Sequence, residues 1–258
     1  MAVDADSMVP EPPSGRIVRR DRRVRLGDVS PAGRLRLDAL VRYLQDVATD
    51  DSRDVGLTPG RQWVVRSTRL HVHELPVYED MVWLATWCGG VGSHYAQRRT
   101  SIRGDRAWID AATLWVQVDE ASMRPARVDD RFRELYAEAA QGVTVSARLA
   151  HHDPSPQAVA AAAPWPLRFT DFDALAHVNN AIAWVVVEEL LAERRGLRPP
   201  MWASVEHRAP IERDDVVRLA VTDHEAGVDA WLLNVAGAVL VSAEVRHTSA
   251  AGGQPTRT

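Results

Sequence analysis

The chain has 258 residues, 46% of them hydrophobic and 26% charged, which is typical of a globular protein with a sizeable core. A formal net charge of -4 gives no overall attraction to nucleic acid or to an anionic membrane. Cys88 is the only cysteine, which excludes an internal disulfide and a cysteine-based zinc cluster. We interpret this residue as a small buried hydrophobe and not as a nucleophile.

Three stretches of the chain are predicted to be irregular. Residues 1–15 are rich in Pro, Asp and Ser and residues 249–258 contain two glycines and a proline, so both are expected to be disordered tails. Residues 149–163 combine prolines with an alanine run and are predicted to form a linker, in which His151 and His152 are interpreted as solvated side chains. Because no apolar run could span a membrane and no signal peptide is evident, a cytoplasmic location is expected.

The first half is predicted to contain a basic strand, a helix and further strands. Six arginines between Arg16 and Arg25 alternate with apolar residues, which indicates a half-exposed strand. After a turn at Asp28, apolar residues recur at the i, i+3, i+4, i+7 spacing of an amphipathic helix. These residues are Leu37, Leu40, Val41, Leu44, Val47 and Ala48. β-Branched and aromatic residues then predict strands at 62–74, 81–88, 94–103 and 107–119.

The second half repeats this order. When Asp171 is aligned with Asp28, a second apolar stripe falls on the positions of the first, at Asn180, Ala183, Trp184, Val187, Leu190 and Leu191. Strands are predicted again at 201–209, 215–222, 228–235 and 237–247. Because one helix can cover only one face of an antiparallel sheet, the chain is predicted to be α+β, with two units in tandem whose sheets wrap around their helices.

The segment from Asp171 to Asn180 resembles the active-site motif of a known fold family. Its Asp-x-Asp turn, its His-Val-Asn-Asn sequence and the helix that follows are similar to hot-dog thioesterases, and the duplication is similar to acyl-acyl-carrier-protein thioesterases. The resemblance covers residues 16 to 248 and implies two tandem hot-dog units, at 16–148 and 164–248, each a long central helix wrapped by an antiparallel sheet. It further implies an enzyme that releases a fatty acid from acyl-acyl carrier protein (acyl-ACP) or acyl-CoA.

The resemblance places the family's catalytic aspartate at Asp173 and its catalytic histidine at His177. Asp173 is expected to orient a water molecule as general base or to attack directly, and His177 to hydrogen-bond the substrate carbonyl or the carboxylate. The unpaired amides of a helix N-terminus could polarise the carbonyl, so Val178, Asn179 and Asn180 are assigned to oxyanion and turn support. Capping is the favoured role for the two asparagines.

Two departures from the plant members of the family make the plant-type catalytic set incomplete. Their asparagine two residues before the histidine is Leu175 in this chain. Their glutamate-cysteine pair, in the strand after the helix, falls on Pro210 and Ile211.

Glu189 on the helix and Glu206 on the following strand are minor candidates for a further carboxylate. The acid pair Glu188 and Glu189 is also typical of a solvated helix face, which argues against a site role for either residue.

The first half lacks the acid-base pair. Ser30 stands at the position of Asp173 and Arg34 at the position of His177, so this half is expected to shape the acyl pocket. The strand tryptophans are expected to line the core and this pocket. The arginines between Arg16 and Arg25 are compatible with docking of an acidic carrier protein or of CoA phosphates, although an ordinary half-exposed strand is favoured.

Two other functions stay open at this stage, because fold does not determine function. One is a hot-dog hydratase or dehydratase, and the other is a non-catalytic acyl-thioester-binding protein. No cofactor and no metal is implied, since no glycine-rich phosphate loop or metal-ligand spacing is evident. The implied partner is the acyl carrier protein or CoA thioester substrate. Duplication supplies both units that single hot-dog proteins make by dimerising, so a monomer is feasible and a homodimer stays possible.

Overall fold

A computed structural model of the chain describes residues 8, 10–56 and 60–248. The predicted tail 249–258 and most of the predicted tail 1–15 lie outside the described residues. Residues 10–15 form neither helix nor strand. Among the described residues, no helix is long and apolar enough to cross a membrane.

Two sets of strands, one from each half, build the structure. The first set comprises β1 (Ile17–Arg23), β2 (Arg61–Glu74), β3 (Met81–Val91), β4 (Tyr95–Gly104) and β5 (Trp108–Asp119). The second set comprises β6 (Ala163–Trp165), β7 (Met201–His207), β8 (Val217–His224), β9 (Gly227–Leu233) and β10 (Val239–His247). The strands predicted in both halves are therefore present, with ends that differ by a few residues. Four helices accompany them in the described part of the chain: α1 (Leu37–Val55), α2 (Asp130–Ala140), α3 (Pro156–Ala160) and α4 (Ile182–Glu193).

The strands form one ten-stranded antiparallel sheet in the order β1-β3-β4-β5-β2-β7-β10-β9-β8-β6. From either end of the sheet the strands follow the same sequence of positions, β1-β3-β4-β5-β2 in one unit and β6-β8-β9-β10-β7 in the other. The two units meet where β2 pairs with β7, from Ser67 opposite Glu206 to Val72 opposite Met201. The predicted α+β architecture of two tandem units is confirmed.

One hydrophobic core is shared by the two units. It includes Leu40 and Leu44 of α1, Trp184 and Leu191 of α4, and strand residues from both halves. All members of the predicted α1 stripe are buried, as the helical spacing requires. In α4 the predicted stripe is also buried, but Asn180 does not belong to it, because the helix begins only at Ile182.

A helix that was not predicted, α2, packs against β3. Its N-terminus is capped by the side chain of Asp129, which accepts a hydrogen bond from the amide of Phe132. Phe132 and Tyr136 cover Cys88, and burial raises the pKa of the Cys88 thiol to about 11. A buried thiol with so high a pKa is a poor nucleophile, which confirms the interpretation of Cys88 as a core residue.

The expectation of two solvated histidines in the predicted linker 149–163 is wrong for His151. Its ring is buried on the outer face of the sheet, with Nε2 at 2.7 Å from Oγ of Ser204 and Nδ1 at 2.9 Å from Oγ of Ser242. The two serine hydroxyls replace the water that this imidazole loses on burial. His152 is exposed, as expected.

The basic strand β1 lies beside a row of acidic residues on α1. Arg16, Arg20 and Arg22 form ion pairs with Asp51, Asp50 and Asp46, and two further arginines of the strand pair with Glu11 and Glu79. These pairs neutralise much of the positive charge of the strand. The structure therefore favours an ordinary half-exposed strand over an anion-docking surface.

Candidate active site

A cavity of about 940 Å³ lies between the two units and contains the predicted catalytic residues in its wall. The first unit contributes mainly apolar side chains from the ends of its strands, among them Trp63, Val65, Tyr95, Val116 and Val118. The second unit contributes the segment 173–180, the segment 207–212 and side chains of β9 and β10. The cavity is therefore apolar along much of its length and polar at the turn.

The turn that follows β6 is held by main-chain hydrogen bonds. A single helical turn of 3-10 type, Phe169–Asp171, precedes it, and the Asp171 carboxylate accepts a hydrogen bond from the amide of Arg168 at 2.8 Å. The carbonyl of Asp171 accepts the amide of Asn179, also at 2.8 Å. These bonds confirm Asp171 as a scaffold residue.

Asp173 is fixed by two hydrogen bonds to its carboxylate. Oδ1 accepts the amide of Leu175 at 2.9 Å, and Oδ2 accepts the side-chain amide of Asn179 at 3.2 Å. Because each carboxylate oxygen has two acceptor sites, both oxygens can still accept a proton or a hydrogen bond from water. The loop closes with Ala176 in the left-handed region (φ 61°), whose amide donates to the carbonyl of Asp173 at 3.0 Å.

His177 lies in the same cavity wall as Asp173, and its side chain is half-buried. Its ring forms no hydrogen bond to any other residue that the structure describes. The backbone of His177 pairs with that of Glu212 in an isolated antiparallel bridge. The structure thus brings the two predicted catalytic residues together, with an oriented carboxylate and an imidazole whose nitrogens are free to contact a substrate.

The expectation that the amides of Val178 and Asn179 polarise the substrate carbonyl is wrong. The amide of Val178 donates to the carbonyl of Ile211 at 3.0 Å, and that of Asn179 donates to Asp171. Because α4 begins later than predicted, these residues form the connection into the helix and not its unpaired first turn. Their role is turn support: the Asn179 side chain also caps the amide of Ala181 at 2.9 Å, and Asn180 lines the cavity.

The two minor candidates are also wrong. Glu189 is exposed and does not line the cavity, whereas its neighbour Glu188 is buried, contrary to the expectation of a solvated acid pair. Glu206 lies on the outer face of the sheet, because side chains alternate along a strand and its neighbours Val205 and His207 face inward. There it accepts the amides of residues 150 and 151 at 2.7 and 3.2 Å and holds the linker.

His207 and Glu212 are among the cavity residues that were not predicted. The Nε2 atom of His207 is buried and has no hydrogen-bond partner among the described residues. Burial, and secondly the nearby Arg66 guanidinium, lower the pKa of His207 to about 4, so its imidazole is neutral at pH 7. Strand alternation from Val205 is the sequence signal that could have placed His207 on the inner face.

Glu212 lies opposite His177 in the antiparallel bridge. Side chains of directly opposed residues leave the backbone on the same side, about 5 Å apart at Cβ. Both residues line the cavity, and the Glu212 side chain is exposed. The bridge therefore puts the two side chains on the same side of the backbone, without a hydrogen bond or ion pair between them among the described residues. No sequence signal indicated this pairing, because it joins a loop before α4 to a loop after β7.

The position in the first unit that corresponds to this site is filled. The Arg34 guanidinium makes two hydrogen bonds to the Glu188 carboxylate, at 2.9 and 2.7 Å. The amide of Leu37, at the start of α1, donates to the same carboxylate at 2.6 Å. Arg34 therefore holds helix α4 against the first unit.

Two family models match the chain. The acyl-ACP thioesterase N-terminal domain matches residues 15–136, and the acyl-ACP thioesterase C-terminal domain matches residues 155–248. An uncharacterized protein of Mycobacterium tuberculosis is 25% identical over 85% of this chain and 88% of its own length. An oleoyl-acyl carrier protein thioesterase of Coriandrum sativum is 23% identical over 78% of this chain and 61% of its own length.

Solved structures with the same arrangement include two thioesterases. The 12:0-ACP thioesterase from Umbellularia californica superposes with a TM-score of 0.74 at 19% identity, over 89% of this chain and 96% of that one. An acyl-ACP thioesterase from Bacteroides thetaiotaomicron superposes with a TM-score of 0.76 at 15% identity, over 89% and 97% of the two chains. At this level of identity, the likeness shows a common fold.

Proposed function

This chain belongs to the acyl-ACP thioesterase family, and we propose that it hydrolyses acyl thioesters with Asp173 and His177 as its catalytic residues. The observation that carries the residue assignment is the oriented Asp173 carboxylate, which shares the wall of an apolar cavity with an unpaired imidazole. A thioester consists of an apolar acyl chain and one polar reacting group. The apolar length of the cavity suits the acyl chain, and its polar end at the turn suits the reacting group.

In the proposed reaction, Asp173 acts as general base. It accepts a proton from a water molecule while the water oxygen attacks the thioester carbonyl carbon. A ring N–H of His177 donates a hydrogen bond to the carbonyl oxygen as negative charge develops on it. The C–S bond then breaks, and the proton held by Asp173 passes to the departing thiolate. The products are the fatty acid and the free thiol of the carrier.

Glu212 is proposed to orient His177. It would replace the polar residues of the plant members, whose positions are occupied by Leu175, Pro210 and Ile211 in this chain. A protonated imidazole donates from both ring nitrogens, so one N–H can meet the Glu212 carboxylate and the other can meet the substrate carbonyl. The antiparallel bridge between the two residues supports this role.

Direct attack by Asp173 is the second chemical route, and isotope labelling separates the two. Single-turnover hydrolysis in ¹⁸O-labelled water places the label in the fatty acid if Asp173 is a general base. If the carboxylate attacks, an acyl anhydride forms on Asp173, and hydrolysis of that anhydride can place the label in the aspartate side chain.

Release of free thiol from a panel of acyl-ACP and acyl-CoA substrates tests the proposed function. Asp173→Asn removes the base and is expected to lower kcat by about 10²–10⁴-fold. Glu189→Gln, an exposed acid outside the cavity, is the matched control and should behave like wild type. Thiol release that is unchanged in Asp173→Asn would overturn the residue assignment. Hydration of an enoyl thioester without thiol release would identify a hydratase, and tight binding without turnover would identify a binding protein.

A further inference from the structure

A second cleft, of about 590 Å³, adjoins the acyl cavity beside the end of β7. It is lined by Arg66, residues 147–149, residues 151–153 and Arg208. Arg66, Ala147 and Arg208 also line the acyl cavity. The two cavities therefore share a wall, along which a ligand can extend from Asp173 and His177 toward the second cleft.

The three arginines of the cleft are incompletely paired. Arg66 donates only to the main-chain carbonyls of His207 and Arg208, at 2.7 and 3.3 Å, and forms no salt bridge within the described ranges. Arg148 is exposed, and its side chain contacts no acceptor in the part of the chain that the structure describes. Arg208 pairs with Asp153 and donates to the carbonyl of His151, but its Nε–H is buried without a partner.

The charges that line this cleft are consequently unbalanced, because its lining contains three guanidinium groups and one carboxylate, that of Asp153. The buried carboxylate of Glu206 lies outside the lining and also acts on Arg66. Burial lowers the pKa of Arg66, the Glu206 carboxylate opposes this effect, and the neighbouring Arg208 lowers the pKa to a smaller extent. Two cations that destabilise each other in a partly desolvated position are stabilised when an anion binds between them. The β1 arginines differ in this respect, since they already have acidic partners on α1.

We propose that Arg66, Arg148 and Arg208 bind the phosphate at the end of the 4'-phosphopantetheine arm to which the acyl chain is attached. This inference rests on the proposed function, since it assumes that the thioester lies at Asp173 and His177. The arm is common to acyl carrier protein and to CoA, and its pantetheine part would follow the wall that the two cavities share. Arginine suits this role because its planar guanidinium presents paired N–H donors that match two phosphate oxygens.

The test compares two substrates that carry the same acyl chain, one on pantetheine and one on 4'-phosphopantetheine. For the wild-type protein we expect a KM about tenfold lower for the phosphorylated substrate, as charge-assisted hydrogen bonds contribute at this scale. Arg148→Gln and Arg66→Lys should bring the ratio of the two KM values close to one. Arg195→Gln, an exposed arginine outside both cavities, should keep the wild-type ratio.

Equal KM values for the two substrates in the wild-type protein would overturn the phosphate site. So would a wild-type ratio in both arginine variants, provided that their thermal unfolding matches wild type. Parallel arms with acyl-ACP and acyl-CoA identify the source of the phosphate, because Arg148→Gln should raise KM most for the carrier that the protein uses. If no substrate releases thiol, the proposed function fails, and calorimetric binding of 4'-phosphopantetheine against pantetheine still decides the phosphate site.

Discussion

The turns before α1 and α4 occupy equivalent positions in the two units, yet their side chains face different surroundings. In the second unit, Asp173 and His177 lie in the wall of an open cavity. In the first unit, Ser30 and Arg34 replace them, and Arg34 is held by a buried carboxylate, Glu188, from the opposite helix. A duplicated fold thus leaves one turn open to a cavity, where we propose that the chemistry takes place, and uses the other to join its halves.

The two turns differ in the residue that the helix of the opposite unit presents to them. Glu188 of α4 reaches the turn of the first unit, where it accepts hydrogen bonds from Arg34 and from the amide of Leu37. The corresponding position on α1, in the alignment of Asp28 with Asp171, is Gln45. A neutral amide there cannot form an ion pair across the units, and the imidazole of His177 makes no hydrogen bond to another residue in the described part of the chain.

The strongest test of this comparison rebuilds the arginine–glutamate pair of the first-unit turn at the second-unit turn, which holds His177. The double variant His177→Arg, Gln45→Glu introduces an arginine and an opposing carboxylate at the equivalent positions. We expect kcat to fall by about 10²–10⁴-fold, because the imidazole is lost and its place is filled. The urea midpoint should stay near that of wild type. Wild-type turnover in a folded double variant would contradict the assignment of His177.

Breaking the ion pair between Arg34 and Glu188 should lower the free energy of unfolding and leave kcat unchanged. Glu188→Gln leaves the Arg34 guanidinium without its charged partner, which for a buried pair costs about 3 kcal/mol of unfolding free energy. Urea unfolding measures this loss, and kcat per folded molecule should be retained. The exposed neighbour provides the control: Glu189→Gln should shift the urea midpoint very little. Equal midpoints for the two variants would show that the pair does not hold the units together.

A smaller effect on kcat is expected for substitution of Glu212. The Arg34–Glu188 pair of the first unit contains no residue equivalent to Glu212. Glu212→Gln should lower kcat about tenfold, because the imidazole loses an orienting hydrogen bond. Glu212→Asp should recover part of the rate, because it restores a carboxylate opposite His177. Glu225→Gln, another exposed acid without a described partner, is the control. A failure of Glu212→Asp to recover any rate over Glu212→Gln would restrict this residue to a structural role.

The smallest expected effect is a pH dependence of stability from the cavity histidine His207. Its pKa is near 6.5 in an unfolded chain and is lowered to about 4 in the fold, chiefly by burial. The unfolded state therefore binds the proton more readily, so this contribution is complete above pH 6.5 and is lost as the pH falls toward 4. His207→Leu should flatten the decline of the urea midpoint between pH 7 and pH 5. An equally steep decline in that variant would assign the effect to other groups.

The local organisation of the chain could be predicted from the residues alone. The helical spacing from Leu37 to Ala48 identified the buried face of α1, and the repeat around Asp28 and Asp171 identified two units. The motif from Asp171 to Asn180 located Asp173 and His177 in one turn. Each of these inferences depends on a repeating pattern or on residues close together in sequence, because backbone geometry sets the side-chain period of a helix or strand.

Only the tertiary structure decided which side chains meet across the sheet and between the halves. The partners of Arg34, His151 and Glu206, and the approach of Arg66 to Arg208, all join segments that are far apart in sequence. Sequence spacing indicates which face of an element is buried, but not which distant group covers it. That choice depends on how strands order in the sheet and where the linker crosses it. For the same reason the sequence motif predicted the turn that we propose to be catalytic, whereas the Arg34–Glu188 pair, the neutral His207 and the arginine cleft became visible only in the folded molecule.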